Sequence, residues 1–260
     1  MPLTDAGGFR VLELFHGPTA AFKDVGARFL AASMARIVAD GIHAEPPVTI
    51  LVATSGDTGG AVAAAYHRRP GLRVVVLFPD GRVSPRQQHQ LTCWGDNVIS
   101  LAVRGEFDDC QRLVKQAFGD AGLRDRHHLC SANSINVGRL LPQAVYYLYA
   151  WAELQEKAEP AIISVPSGNF GDIFAGYVAM RMGLPVARLL LATNRNDILT
   201  RFVDSGVYQA RGVHHTISPS MDIQISSNFE RYLYYLLDQD PAQVRELMAQ
   251  MAREGRIEVP

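Results

Sequence analysis

Lys23 is the side chain of this sequence best suited to covalent chemistry. The chain has only three lysines, at positions 23, 115 and 157, whereas twenty-two of its 25 basic residues are arginine. Arginine forms no Schiff base at ordinary pH, but a lysine amine partly shielded from water can lose its proton and become a nucleophile. Lys23 follows Phe22 and lies close to Val25 in an apolar run. It is therefore a candidate nucleophile, although a lysine with a packed stem and a solvated ammonium group is the commoner case.

The residues just before Lys23 indicate where it lies in the fold. His16-Gly17-Pro18-Thr19 has the composition of a turn, and its threonine is of a type that caps helices. We therefore expect Thr19 to cap the next helix and Lys23 to lie in the first turn of that helix.

Two glycine-containing turns, at 54–59 and 167–171, each follow a predicted buried strand and precede a predicted helix. Backbone N–H groups and the helix dipole converge at such a turn and suit an anion. Turn 167–171 could hold a phosphate group and turn 54–59 a second anion such as a carboxylate; the alternatives are a tight connection with a polar cap, and a helix N-cap at Asp57 or Thr58. One lysine and two anion-binding turns are what a phosphorylated aldehyde such as pyridoxal phosphate and an amino-acid substrate require.

The elements that must position these groups alternate along the chain. Continuous β-branched runs such as VTILVA, at 48–53, indicate strands buried on both faces, and apolar residues at helical spacing indicate helices between them. This alternation predicts parallel sheets wrapped by helices, with ligands bound at the carboxyl ends of the strands. Strands are predicted at 9–15, 48–53, 73–78, 97–103, 129–131, 161–165 and 186–192, and helices at 22–39, 61–67, 84–94, 107–118, 137–154, 173–182 and from 241 onwards.

Composition excludes several classes of function. With 260 residues, 48% hydrophobic, the chain can form a sizeable core, and a net charge of −1 with a pI near 6.7 argues against nucleic acid or a membrane surface as partner. No apolar run is long enough to span a bilayer and no signal pattern is visible, which predicts a cytoplasmic protein. The three cysteines form no CxxC pair, and His214 and His215 have no further ligand at metal-binding spacing, so no metal site is predicted.

Five motifs, in order, resemble the threonine synthases, which are pyridoxal-phosphate enzymes of fold type II, the tryptophan-synthase-beta-like fold. The resemblance implies an α/β protein with two lobes of largely parallel sheet wrapped by helices. It divides the chain into 1–45, part of the large domain carrying the lysine, 46–135, a smaller α/β domain, and 136–260, the remainder of the large domain. The motifs are HGPTAAFKD (16–24), ATSGDTGGAV (53–62), SANSINVGRLLPQ (131–143), VPSGNFGD (165–172) and PSMDIQISSNFER (219–231).

The resemblance also implies a reaction and the residues that serve it. The reaction converts O-phospho-L-homoserine and water to L-threonine and phosphate, with Lys23 as the Schiff-base lysine that also moves protons at the substrate carbons. No nucleic acid, membrane or metal takes part, and a monomer or homodimer is expected. Cofactor binding is expected at Lys23, Asp57, Gly168, Asn169, Phe170 and Gly171, and substrate binding at Ser55, Gly56, Thr58, Asn133, Ser134 and Arg139.

Members of the family are usually longer at both ends, so the chain is expected to lack N- and C-terminal segments, including the one that supplies the partner of the pyridine nitrogen. Another fold-type-II lyase, such as a serine or threonine dehydratase, and a truncated non-catalytic cofactor-binding protein are the alternatives. Segment 219–231 is recognisable, but its residue types suggest no chemical role.

Overall fold

The structure, a computed structural model, describes residues 1–41, 47–154 and 159–259 and has two compact units, Met1–Pro142 and Gln143–Pro260. Both units alternate strands and helices, and every sheet with helical crossovers is parallel, as predicted. The division into 1–45, 46–135 and 136–260 stays a prediction. The expected boundary between residues 45 and 46 lies outside the described residues.

The first unit contains a hairpin followed by alternating helices and strands. In chain order its elements are β1 (Leu3–Ala6), β2 (Phe9–Leu12), α1 (Lys23–Ala39), β3 (Val48–Ala53), α2 (Asp57–Tyr66), β4 (Leu72–Pro79), α3 (Pro85–Thr92), β5 (Val98–Val103), α4 (Phe107–Gly119), α5 (Ala121–His127), β6 (Leu129–Cys130) and α6 (Val137–Leu140).

The sheet of the first unit has four parallel strands in the order β5-β4-β3-β6. All six residues of β3 are buried, because α1 and α2 cover one face and α4 covers the other. Burial of a continuous apolar strand on both faces is typical of parallel sheets. The loop that follows β3 therefore begins at the end of an interior strand that is buried on both faces.

The second unit is built around a parallel pair of strands. Its elements, preceded by a 3₁₀ turn at Leu141–Gln143, are α7 (Ala144–Glu153), β7 (Ala161–Pro166), α8 (Gly171–Arg181), β8 (Val186–Ala192), α9 (Ile198–Ser205), β9 (Val207–Gln209), a 3₁₀ turn at Pro219–Met221, α10 (Phe229–Leu236), α11 (Pro241–Glu254) and β10 (Arg256–Glu258).

The structure corrects several predicted elements. The helix expected at 137–154 is two helices, because Pro142 cannot donate a helical hydrogen bond and a 3₁₀ turn replaces the helix there. The strand expected at 9–15 ends at Leu12 and pairs with β1, which was not predicted. The short elements α5, α9, β9, α10 and β10 were also missed, and α11 is followed by β10, which pairs with β9. No helix in the described ranges is both long enough and apolar enough to cross a bilayer.

Candidate active site

Lys23 is the first residue of α1, and its side chain is only 12% exposed. Its Nζ lies 3.6 Å from Oδ2 of Asp57, the first residue of α2. The amine also lies 5.3 Å from the centroid of the Phe22 ring. The predicted first-turn position of Lys23 is thus confirmed, and its amine is held between an apolar ring and a carboxylate.

The surroundings of Lys23 lower the pKa of its amine. Burial is the largest cause, because a desolvated ammonium group is less stable than a neutral amine, and the positive charge of Arg139 acts in the same direction. Asp57 raises the pKa by Coulombic attraction and a hydrogen bond, but does not cancel the effect of burial. The N-terminus of α1 carries partial positive charge and also disfavours an ammonium group there. The amine is therefore neutral, and nucleophilic, at lower pH than an ordinary lysine.

Arg139, in the short helix α6, approaches α1 closely. Its guanidinium is buried, with 3% of the residue exposed, and Nη1 donates a 3.0 Å hydrogen bond to the carbonyl oxygen of Ala132. Gly26, one helical turn after Lys23, permits this approach, since a Cβ there would lie 2.4 Å from the Arg139 carbonyl oxygen. Asn133 is fixed beside the end of β3, where its Nδ2 donates to Ala53 O at 3.0 Å.

Thr19 does not cap α1, contrary to the sequence prediction. The N-cap residue is Phe22, and Thr19 instead donates through its backbone N–H and its hydroxyl to the buried carboxylate of Asp24, at 3.0 and 2.6 Å. Gln90 of α3 donates to Thr19 O at 3.3 Å. The turn before Lys23 is thus tied both to the first turn of α1 and to a neighbouring helix.

The turn that follows β3 is organised by Thr54, not by a helix cap. The Thr54 hydroxyl oxygen accepts hydrogen bonds from the N–H groups of Gly56 and Gly59, at 3.0 and 2.9 Å. Gly56 is the N-cap residue of α2, so the alternative of an Asp57 or Thr58 N-cap is wrong. Ser55 is exposed and Thr58 half-buried. Asn133 and Ser134 do not cap α6 either, because its N-cap residue is Asn136.

The turn from β7 to α8 has the features of an anion-binding loop. Phe170 has the left-handed φ of +63° and is the N-cap residue, while Asn169 Oδ1 accepts from Gly171 N–H at 2.9 Å. The backbone N–H groups of residues 168–170 meet no acceptor in the described part of the chain. Ser167 is 5% exposed, and its buried hydroxyl oxygen likewise has no hydrogen-bond partner there. These donors precede the positive end of α8, so the loop fits a phosphate group.

Segment 219–231, whose residue types suggest no chemical role, supports this loop. The hydroxyl of Ser226 donates to Gly168 O, and Asn228 donates to Asn169 O through both its N–H and its Nδ2, each at 3.2 Å. Met221 packs directly against Gly168. The segment is a structural brace that fixes the loop through its carbonyl oxygens and leaves the loop N–H groups unused.

We expect Gly168→Ala to disrupt the loop. A Cβ at this position would lie 2.9 Å from Met221 Cα and 3.0 Å from Met221 O, and backbone atoms cannot swing aside as a flexible side chain can. The resulting strain is expected to cost roughly 1–3 kcal/mol, measurable by urea denaturation, and to weaken retention of pyridoxal phosphate on dialysis. Gly212→Ala is the matched control, because a Cβ there meets nothing within 4 Å. If the two variants were equally stable in urea and retained pyridoxal phosphate equally well, the packing of Met221 against Gly168 would not support the loop.

Asp172 adds an unusual carboxyl group at the start of α8. Burial raises its pKa to about 7, although the hydroxyl of Tyr147 opposes this by a 3.3 Å hydrogen bond to Oδ1. Tyr147 also donates to Asp172 O at 2.9 Å, and burial raises the pKa of this tyrosine well above its usual value, so it stays a donor. When protonated, Asp172 is uncharged and would not repel a phosphate bound at the adjacent loop.

Asp172 makes the stability of the second unit depend on pH. An aspartate with a usual pKa near 3.8 that reaches about 7 in the fold keeps its proton in the folded state while the unfolded state loses it. Stability therefore falls as pH rises through this window and is constant above it. We expect that in Asp172→Asn the midpoint of urea denaturation changes less with pH between about pH 4 and 7 than it does in the wild type. Asp204→Asn, at an exposed position, should keep the wild-type dependence of the midpoint on pH. The same dependence in Asp172→Asn would show that Asp172 is not its cause.

The structure thus brings together Lys23, Asp57 and Arg139 in the first unit, with Asn133 at the end of the central strand. Residues 168–171 form the loop of the second unit. Ser167 lies in the predicted turn 167–171 but was not among the expected cofactor-binding residues. Gln87, which donates to Asp57, was missed. No group of three or more His, Cys, Asp or Glu suited to a metal occurs among the described residues.

Known proteins resemble the chain in sequence and structure. It is 51% identical to a threonine synthase of Serratia marcescens over 85% of this chain and 50% of the relative, and 44% identical to that of Schizosaccharomyces pombe over 95% and 53%. The crystal structure of a threonine synthase from Brucella melitensis with bound pyridoxal phosphate matches with a TM-score of 0.91 at 49% identity, covering 100% of this chain and 56% of that one.

These similarities confirm the resemblance to threonine synthases and the predicted fold type. The chain spans about half the length of the curated relatives it matches. The model of the family described as pyridoxal-phosphate dependent enzyme matches residues 9–259. The chain therefore belongs to the family of pyridoxal-phosphate dependent enzymes.

Proposed function

We propose that the chain provides threonine synthase activity, converting O-phospho-L-homoserine and water to L-threonine and phosphate. The observation that carries this proposal is the buried Lys23 amine, with a lowered pKa, in a chain that matches pyridoxal-phosphate enzymes over residues 9–259. Threonine synthases among the relatives supply the choice of reaction.

The residues present fit pyridoxal phosphate. The cofactor needs an amine for covalent attachment and a set of donors for its phosphate, and Lys23 and the loop at 167–171 have the required chemistry. Support for the loop comes from the buried Ser167 hydroxyl and the N–H groups of residues 168–170, all without acceptors in the described ranges. Gly168, Asn169, Phe170 and Gly171 would hold the phosphate, and Asp57 would lie close to the cofactor. When bound, the cofactor stabilises negative charge that develops on the substrate carbons.

The remaining residues would bind the substrate. We assign the carboxylate to Ser55, Gly56 and Thr58. Ser55 and Thr58 offer hydroxyl donors at the start of α2, whereas the Gly56 N–H already donates to Thr54. We assign the substrate phosphate to Asn133, Ser134 and Arg139, together with Thr58. A guanidinium group pairs with phosphate oxygens through two parallel hydrogen bonds and stays charged at all working pH values, which suits Arg139 to this task.

Lys23 would also transfer protons. In the overall reaction the bond from Cγ to the phosphate oxygen breaks, Cβ loses one hydrogen and gains the hydroxyl of water, Cγ gains one hydrogen, and the remaining proton of water leaves with the phosphate. Lys23 Nζ would remove the proton from Cα and serve as the base and acid at the neighbouring carbons. A base works best when its pKa is near the operating pH, and the lowered pKa of Lys23 moves it in that direction.

We further propose a cytoplasmic setting, a small-molecule substrate as partner with no nucleic acid or membrane, and a monomer or homodimer as the active form. The net charge of −1 supports the absence of nucleic acid. Threonine biosynthesis is the process that this reaction serves.

Phosphate release tests the proposed reaction. Purified protein with added pyridoxal phosphate is incubated with O-phospho-L-homoserine, and phosphate and threonine are measured together. Equal amounts of the two products are expected. Oxoacid formation from serine or threonine would point instead to a dehydratase, and a pyridoxyl label fixed on Lys23 by borohydride without any turnover would point to a non-catalytic binding protein.

A further inference from the structure

Gln87 is held in a fixed orientation at the start of α3. Its Oε1 accepts hydrogen bonds from the N–H and the hydroxyl of Ser84, at 3.2 and 3.0 Å, and its own N–H donates to Ser84 Oγ at 3.3 Å. This is a capping box, in which the N-cap and third residues satisfy each other. The carbonyl end of the Gln87 amide is thus occupied, and its NH₂ group must face away from Ser84.

The NH₂ group of Gln87 faces the site around Lys23. Nε2 donates a 2.9 Å hydrogen bond to Oδ1 of Asp57, across 30 positions in the sequence. The other oxygen of the same carboxylate, Oδ2, lies 3.6 Å from Lys23 Nζ. The two oxygens of Asp57 are therefore divided between an amide donor and the amine.

The backbone beside Asp57 is shaped for this contact. Gly56 has a φ of +146°, and a Cβ at this position would lie 2.4 Å from Gln87 Nε2. A side chain at Gly56 would push the Gln87 amide out of its place. The contact between Gln87 and Asp57 does not follow from helix capping alone, because the capping box uses the backbone N–H and the side-chain oxygen of Gln87 but not its NH₂ group.

We propose that Gln87 is a positioning residue, which holds the Asp57 carboxylate so that one of its oxygens stays beside the Lys23 amine. The proposal rests on the proposed function only in treating Lys23 as the reactive amine. Gln87 touches neither Lys23 nor any reacting atom and acts through Asp57.

The expected consequence concerns the protonation of Lys23. The titratable groups that face it are Asp57 from α2 and Arg139 from α6; Asp24, next in sequence, binds Thr19 instead. The Asp57 side chain is 28% exposed, so a carboxylate that loses its amide donor can turn towards water. Moving this negative charge away from Lys23 destabilises the ammonium form. The pKa of Lys23 then falls further.

Competitive labelling measures this directly. The full chain, without added cofactor, is treated with trace acetic anhydride from about pH 6 to 10, and modification of each lysine is followed by peptide mapping. Exposed Lys115 is the internal reference. In Gln87→Met the Lys23 midpoint is expected to fall by about one pH unit, because the Asp57 charge moves a few ångströms away. Gln87→Asn, too short to reach both Ser84 and Asp57, is expected to shift it in the same direction and serves if the Met variant does not fold.

Two controls distinguish an effect of Gln87 on Asp57 from a general disturbance of the structure. Gln88→Met changes an exposed neighbour on the same helix and is expected to leave the Lys23 profile at its wild-type position. In an Asp57→Asn background, Gln87→Met is expected to have no further effect. A wild-type Lys23 profile in the Gln87 variants, or a shift that persists without Asp57, would overturn the proposal. This readout involves no turnover, so failure of the proposed reaction would leave it intact.

Discussion

The Lys23→Arg variant is expected to lose covalent attachment of pyridoxal phosphate and all measurable turnover. Arginine keeps the positive charge beside Asp57 but cannot form the carbon–nitrogen bond that the proposed chemistry needs. Borohydride reduction followed by peptide mapping should find no pyridoxyl label at residue 23. Phosphate release from O-phospho-L-homoserine should fall by at least ~10²-fold, the smallest contribution expected of a general base alone.

Lys115→Arg is the matched control for this change. Lys115 is exposed on α4, so its replacement is expected to leave both the label at Lys23 and turnover at wild-type levels. If the Lys23→Arg variant still carried the pyridoxyl label, on either of its two remaining lysines, Lys23 would not be the residue that binds the cofactor. Retained turnover in this variant would lead to the same conclusion.

The elements around Lys23 could be predicted because local patterns determine them. The run VTILVA is too apolar for any place but a doubly covered strand, and the structure puts β3 at those same six residues. Helix α1 was predicted from apolar spacing and begins within one residue of the expected position. A lysine placed at the start of such a helix, next to a loop from the central strand, needs no long-range information.

Contacts between distant segments could not be predicted in this way. The bond from Gln87 to Asp57 spans 30 positions, and the bond from Ser226 to Gly168 spans 58. No periodicity in a sequence relates such residues, because the contact depends on how whole elements pack. The S-x-x-Q pattern of Ser84 and Gln87 indicates a capping box, but says nothing of what the free NH₂ group contacts.

The hydrogen-bond partners of polar side chains at turns were also predicted incorrectly. Thr19 and Asp57 are both good capping residues by type, yet Thr19 donates to Asp24 and the N-cap of α2 is Gly56. Threonine, asparagine and aspartate can satisfy several neighbouring backbone groups, so residue type alone does not select among them. The turn was correctly placed after β3, and Thr54 accepts from two of its N–H groups, but it is shorter than the predicted 54–59 because α2 begins at Asp57.

The Arg139→Gln variant is expected to have two separate defects. Removing a buried positive charge that faces Lys23 raises the pKa of that amine, so less of it is neutral at a given pH and the acid limb of the rate profile moves to higher pH. Loss of the guanidinium also removes charge-assisted hydrogen bonds to the substrate phosphate, worth about 1.5–3 kcal/mol, so the KM for O-phospho-L-homoserine should rise roughly 10- to 100-fold. Cofactor absorbance should change little.

Arg139→Lys separates the two defects, because it keeps the positive charge but not the planar fork that binds phosphate through two hydrogen bonds. Its Lys23 labelling midpoint should stay close to that of the wild type, while its KM should still rise. Arg126→Gln, at an exposed position on α5, controls for the loss of an arginine in general. If Arg139→Gln weakened cofactor binding as much as substrate binding, Arg139 would belong to the cofactor site. If the Lys and Gln variants shifted Lys23 equally, the effect on the amine would come from packing, because only the Gln variant removes the charge.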